Sequence, residues 1–442
     1  MRKIHLPHPM VLLLACVLVA AALTHVIPAG EFQRHEDVAT GRTVVVANTY
    51  QRVEAQPVGA FDAFVAVPRG FVAAGEVIVL VLLVGGAWTV VDKAGTLRAI
   101  VDWLVSTFGK RRYLAIALLS IAFAAGGALE NMGEEIIPLV PVLLLLCQGF
   151  GYDALTAAAM SVGAAMIGSA FSPLNPFQAG IALKLSQLPL LSGAALRTGL
   201  LLVALALWIW WTIRHAERTR TEPDAAHVPS AHTFDTRQRL ILLIVAAPFV
   251  AYVVGVLKFG WGFNELSAAF FIAGIAVGLV GRLGVQGTVD AYFDGMRSVT
   301  AAAVLIGVAR SISLVLEDGR VIDTILQGLA SPLADAPRAL AAVLMIPVQA
   351  LLHIPVSSVS GQAVLTMPVM IPLADLLGIS RQATVLAYQA GAGLAEFWTP
   401  TNGTLMAILL SVKCPYERWL RFAVPRVVAL TLLFIVGMLF VL

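Results

Sequence analysis

Apolar positions along this chain come in long unbroken runs, and polar positions punctuate them. Residues 10–27, 71–91, 194–213, 240–257, 266–280, 299–316 and 422–442 reach or approach the roughly 20 apolar residues that cross a bilayer as a helix. Residues 113–148 read differently. Two apolar pieces, 113–129 and 136–146, flank the polar stretch Glu130-Asn131-Met132-Gly133-Glu134-Glu135. The second piece is too short to cross, so the pattern predicts a helical hairpin that enters and leaves on one side. Residues 153–185 form an apolar run interrupted by FSPLNPF at 171–177. Its two prolines remove backbone donors and stop the helix, which predicts a broken span.

The same alphabet recurs in the second half, as an interfacial piece at 317–333, a hairpin at 338–377 and a broken helix at 382–412. Residues 92–110 carry Leu97, Ile100, Val101, Leu104 and Val105 at helical spacing, which predicts a helix lying in the membrane interface. Residues 31–69 are polar and mixed, with a β-branched run at 43–46 that predicts a short strand. Residues 215–239 are the one clear linker. Arg214, Arg218, Arg220, Arg237 and Arg239 in or beside it place it in the cytoplasm.

Composition agrees with the pattern. Of 442 residues, 59% are apolar and 12% charged, against about 25% charged in soluble domains; mean hydropathy is +0.88. The class is an all-α polytopic membrane protein. Arg2 and Lys3 ahead of an apolar run imitate a signal peptide, but the run continues past Cys16 to Ile27, so an uncleaved first span is expected. Cys16, Cys147 and Cys414 show neither metal spacing nor a disulfide pattern. The net charge of +3 is small and points to no nucleic acid. A Gly-rich P-loop, a His-Glu metal motif and a Gly-x-Ser-x-Gly elbow are missing, so neither enzyme chemistry nor a cofactor or metal is expected.

The two halves echo each other. Gly95 matches Gly319, Pro141 matches Pro368, Gly151 matches Gly378, Ser172 matches Thr399, Pro173 matches Pro400 and Asn175 matches Asn402, the last five at one common offset. FSPLNPF therefore has a partner in WTPTNGT at 398–404. Residues 93–112 are basic, with Lys93, Arg98, Lys110, Arg111 and Arg112 against Asp102. Their counterpart is acidic, with Glu317, Asp318, Asp323 and Asp335 against Arg320 and Arg338. Opposite charge bias on equivalent segments is what inverted topology produces. The expected organisation is a first span and external loop (1–69), repeat 1 (70–193), connecting spans (194–294), repeat 2 (295–415) and a last span (416–442), with the N-terminus cytoplasmic.

Paired helix breaks in inverted repeats mark the midplane site of a secondary transporter. Unpaired backbone at a break is tolerated only against protein or a wet cavity, and half-helix ends carry dipoles that bind ions. The candidate substrate contacts are Asn131, Glu134, Ser172, Asn175, Ser358, Ser360, Thr399, Thr401 and Asn402. Glu130, Glu135 and Glu396 are candidates for coupling to Na+ or H+, since carboxylates at membrane depth are costly and usually functional. Arg310 is expected to pair with an acid on a neighbouring helix, and His353 to hydrogen-bond at the second tip. Three glutamates at the first tip, with few cations opposing them, point to a charged solute such as arginine or ornithine. A C4-dicarboxylate held by the helix ends is the alternative, and a channel the competing class.

The residues HLP at 5–7, IPAGEF at 27–32, MGEE at 132–135, GYDALT at 151–156, NPFQAGIA at 175–182, GVAR at 307–310, SGQAVLTMPVMIPLADLLGISRQ at 360–382 and TPTNGTLMA at 399–407 resemble the YfcC branch of the DcuC-type carriers, in the ion-transporter superfamily. The resemblance runs from about residue 5 to the C-terminus. It implies an elevator-type carrier with a scaffold and a transport domain, commonly dimeric, in a bacterial cytoplasmic membrane. Relatives are described as carriers of C4-dicarboxylates, of arginine and ornithine, or of other amino-acid-like solutes. One segment departs from the family pattern. Where relatives read like GDGFSN before TPT, residues 391–396 are GAGLAE, with no acid at 392 and one at Glu396.

Overall fold

The computed structural model describes residues 7–37, 41–109, 111–222, 235–259 and 261–442. Expectations for the start of the chain, for Lys110 and for 223–234 of the linker lie outside the described residues. Among the described residues nine helices are long and apolar enough to cross a membrane.

α1 (Pro9–Val26) starts where Pro9 fits the first turn and the His8 ring accepts the Met10 N–H at 3.2 Å. Four short strands follow: β1 (Gly30–Glu31), β2 (Arg34–Asp37), β3 (Arg42–Val45) and β4 (Gln51–Arg52). They pair as two antiparallel ribbons, β1 with β4 and β2 with β3. The expected strand at 43–46 is thus one arm of a ribbon.

The expected span at 71–91 is corrected to α2 (Ala60–Ala73) and α3 (Gly75–Lys93), so helix begins inside the stretch read as polar loop. The reason is small residues rather than large apolar ones. Ala63, Ala66 and Gly70 are buried, and a Cβ on Gly70 would strike the Gly307 carbonyl. The helix expected over 92–110 is α4 (Thr96–Phe108), with Leu97, Val101 and Val105 buried.

α5 (Tyr113–Glu130), a 3-10 turn at Glu134–Leu139 and α6 (Val140–Phe150) form the first hairpin. α7 (Ala154–Ala158), a π-helical turn at Ala159–Gly163 and α8 (Ala164–Phe171) lead to the first break, and α9 (Ala179–Leu185) resumes after it. α10 (Ala194–Thr219) and α11 (Thr236–Phe259) each run into the expected linker, which is helical at both ends. α12 (Phe263–Val280) is followed by α13 (Gly284–Asp318), far longer than the 299–316 expected, and α14 (Ile322–Ala330). α15 (Arg338–Leu352) and α16 (Val359–Leu376) form the second hairpin. α17 (Arg381–Tyr388), a π-helical turn at Gln389–Gly393 and α18 (Gly403–Ser411) frame the second break, and α19 (Tyr416–Leu439) closes the chain.

α13 packs on α1, α2, α3 and α12, and meets α18 on another side. Each hairpin has both its ends in one place. For the first, Arg112 donates twice to Glu217 (3.1 and 3.2 Å), Tyr152 donates to Glu217 (2.7 Å) and Thr221 N–H donates to Gly151 O (2.9 Å). Asp153, which caps α7, meets His215 at 3.0 Å and Arg418 at 2.6 Å. Burial works against the Asp153 charge, but hydrogen bonds from His215 and Thr156 outweigh it and hold the carboxyl well below the usual range. For the second hairpin, Arg338 bonds to Leu442 O, Ser380 bonds to Val441 O, and Arg381 binds both Asp375 (2.8 Å) and Ser186 O (3.1 Å). α10 and α19, 26 and 24 residues long, each run between these two gatherings, a distance of roughly 36–39 Å.

Gly151 and Gly378 both end a hairpin with left-handed backbone, φ 77° and 68°. The Gly95–Gly319 match is off by one: Gly95 is left-handed at 77°, Gly319 lies at −74°, and the left-handed residue is Arg320.

α5 and α8 approach closely through Gly127 and Gly168, whose added Cβ atoms would strike the carbonyls of Ala165 and Ala124. Gly168→Ala is expected to destabilise by roughly 1–3 kcal/mol, the usual cost of overpacking. A lower melting temperature in detergent checks this. Gly328→Ala, inside α14 and facing open space, is the control and leaves the temperature unchanged or raises it.

Candidate transport site

The first break closes on itself. Ser172 Oγ accepts the N–H groups of Leu174 and Asn175 (both 2.9 Å) and donates to Ala128 O (2.7 Å). Asn175 Oδ1 accepts the N–H groups of Phe177 and Gln178 (both 2.9 Å). Its amide donates to Gly127 O (2.9 Å) and also lies 3.2 Å from Ser169 Oγ and 3.3 Å from Asn131 Oδ1. Gln389, from the second π-helical turn, donates to the carbonyls of Ala170 (3.1 Å) and Ser172 (3.0 Å). Gln389 is held in turn by the buried Arg197, whose Nε donates to its Oε1 at 2.7 Å. Ser172 and Asn175 are fully buried.

The second break is less saturated. Thr399 Oγ1 donates to Ala395 O (3.0 Å). Asn402 caps α18 by accepting the Leu405 N–H (3.0 Å) and donates to Glu396 O (3.3 Å). Thr401 Oγ1 is buried and has no partner among the described residues.

The two hairpin tips face these breaks. Asn131, left-handed at φ 60°, ends α5 and accepts the Ser169 hydroxyl. Glu135 folds back onto the Gly133 N–H (3.0 Å), and Glu134 accepts the Thr404 hydroxyl (2.9 Å). At the second tip Ser358 caps α16 through the Gly361 N–H (3.2 Å). His353 there bonds to Gln362 (2.9 Å), the hydrogen-bonding place expected for it, and Gln362 donates to Gln349 (2.7 Å).

A cavity of about 1010 Å³ lies between the tips, the second break and the ribbon β2–β3. Eight of the candidates line it: Glu130, Asn131, Glu134, Ser358, Ser360, Glu396, Thr401 and Asn402. Ser172, Asn175, Thr399 and Glu135 do not; they stand in its walls with hydrogen bonds inside the protein. The asparagines matched in sequence thus differ in place. Asn175 supports the wall, and Asn402 reaches the cavity.

The charges around the cavity are sorted. Among the described residues no basic side chain pairs with Glu130, Glu134 or Glu396, and Glu130 Oε2 is buried without a partner. Nearer the strands, Arg34 pairs with Asp323 (2.9 Å) and Arg320 with Glu31 (3.3 Å). Arg310 lies 3.9 Å from Glu317, which is on its own helix and not on the neighbouring one expected. Arg34, Arg42 and Thr43 also line the cavity. Sequence reading missed them, although the β-branched run between charged residues was a signal that this loop is built. Among the described residues no group of three His, Cys, Asp or Glu side chains is arranged to hold a metal.

The model of the DcuC family, described as "C4-dicarboxylate anaerobic carrier", matches residues 6–442. The chain belongs to the DcuC family. It is accordingly a multi-pass membrane transporter that acts on a small molecule. Within reach of this DcuC-family chain stands an Escherichia coli (strain K12) protein named "Putative basic amino acid antiporter YfcC", 32% identical over 369 residues, covering 78% of this chain and 73% of that one. A Haemophilus influenzae protein named "Uncharacterized protein" is 28% identical over 412 residues, covering 89% and 80%. Two solved transporters resemble it more distantly. The Alcanivorax borkumensis YdaH transporter has a TM-score of 0.48 at 18% identity, covering 98% of both chains. Neisseria gonorrhoeae MtrF has a TM-score of 0.43 at 15% identity, covering 98% and 94%. At these scores neither likeness adds to the family assignment.

Asn175→Ala orphans buried donors and acceptors at about 1–3 kcal/mol each. It is expected to reduce folded protein in the membrane, measured as monodisperse yield. Ser360→Ala, whose hydroxyl among the described residues bonds only to Ser358 at 3.4 Å, is expected to leave that yield unchanged.

Proposed function

We propose that this DcuC-family transporter is a secondary active carrier of a small basic amino acid, of the arginine or ornithine kind. The observation that carries the reading is the set of three cavity-lining glutamates, Glu130, Glu134 and Glu396, with no basic partner among the described residues. Uncompensated carboxylates at membrane depth call for a cation from outside the protein, either solute or coupling ion. The name given to the Escherichia coli relative, a basic amino acid antiporter, is in line with this. Na+ or H+ coupling, or exchange, supplies the drive.

The working cycle is an elevator movement of two inverted repeats. Several features support it. The two hairpins have their bases at opposite ends of α10 and α19. Matched breaks, matched left-handed glycines and matched π-helical turns at 159–163 and 389–393 recur in both halves. The charge bias of equivalent segments is reversed, which supports a cytoplasmic N-terminus and linker. The carrier works as a homodimer in the bacterial cytoplasmic membrane.

A C4-dicarboxylate would use the other half of the cavity, where Ser358, Ser360 and Asn402 stand at helix starts. Its second carboxylate would then face the glutamates. Counterflow in proteoliposomes separates the readings. Exchange of labelled arginine or ornithine, and none of succinate, is expected; succinate exchange alone would overturn the proposal. A channel gives no counterflow. Glu134→Gln and Glu396→Gln are expected to lower arginine exchange roughly ten-fold or more at normal abundance, the size of a lost charged hydrogen bond.

A further inference from the structure

The ribbon β2–β3 lies outside the membrane spans, yet it reaches the site. β3 packs on α16, and its Val44 and Val45 are buried. Arg42, paired in register with Asp37 of β2, lines the same cavity as Ser358, Ser360 and Glu396. Of the four arginines that line this cavity, Arg34, Arg310 and Arg320 each have an acid within 4 Å. Arg42 has neither an ion pair nor a side-chain hydrogen bond among the described residues.

Arg42 and Glu396 thus border one cavity with no ion pair between them. A solute that carries a carboxylate at one end and a cation at the other fits between them.

We propose that Arg42 takes the α-carboxylate of the solute, so that a residue of the external ribbon decides between amino acids and amines. This rests on the reading of the glutamates as the cation-binding side. The planar guanidinium binds a carboxylate through two parallel hydrogen bonds, which an ammonium cannot do. One such contact corresponds to a discrimination of roughly 10–100-fold.

The test uses the full chain in proteoliposomes. Uptake of labelled arginine and of labelled agmatine, the same molecule without its carboxylate, is measured separately. The wild type is expected to favour arginine at least ten-fold. Arg42→Gln should bring that ratio close to one by weakening arginine alone, and Arg42→Lys should keep part of it. An unchanged ratio in Arg42→Gln, or an equal loss of both solutes, overturns the proposal. If the wild type takes up neither compound, the cation-binding reading of the glutamates has failed. Arg42 is then judged on the solute that is carried. Retained preference in Arg42→Gln for its carboxylate over its amide overturns the inference, and loss of that preference upholds it.

Discussion

A helix interrupted inside hydrocarbon must find partners for the backbone groups it releases, and in this protein the first interruption finds them within the chain. Ser172 and Asn175 take four backbone N–H groups between them and return donors to the carbonyls of Ala128 and Gly127. Those carbonyls belong to the last turn of α5, so the break and the first hairpin tip are one hydrogen-bonded object. The position of Glu130, Asn131 and Glu134 follows from it. Glu130 ends that turn and Asn131 and Glu134 follow it, so where the turn is held aims all three.

The second break shares the sequence pattern but carries less internal bonding. Asn402 caps α18 and Thr401 keeps an unpartnered hydroxyl, so polar capacity is left over where the cavity begins. Two segments with one sequence pattern thus do different work. One copy is committed to architecture, the other faces the cavity. The difference originates with the neighbours. Asn175 bonds to α5, with Gln389 on Ser172 beside it, whereas Asn402 lines the open space bordered by β2 and β3.

Much of the fold was legible in the residues. Run lengths located the spans, the short second piece of residues 113–148 identified a hairpin, and paired proline-asparagine motifs identified both breaks. Two features escaped. α2 is written in small residues, Ala63, Ala66 and Gly70, whose value lies in close backbone approach and not in hydropathy. The inward face of β3 is set by its packing on α16, far away in sequence. For the site, residue type told which side chains carry chemistry, but only three-dimensional placement separates Asn402 from Asn175.

The Gln389 link bears on how the protein is made. Residues 171–177 leave the ribosome and meet the membrane long before residue 389 is synthesised. Until then the carbonyls of Ala170 and Ser172 lack their amide donor. Each half is therefore unfinished without the other, since two carbonyls of the first break find their donor only in the second half.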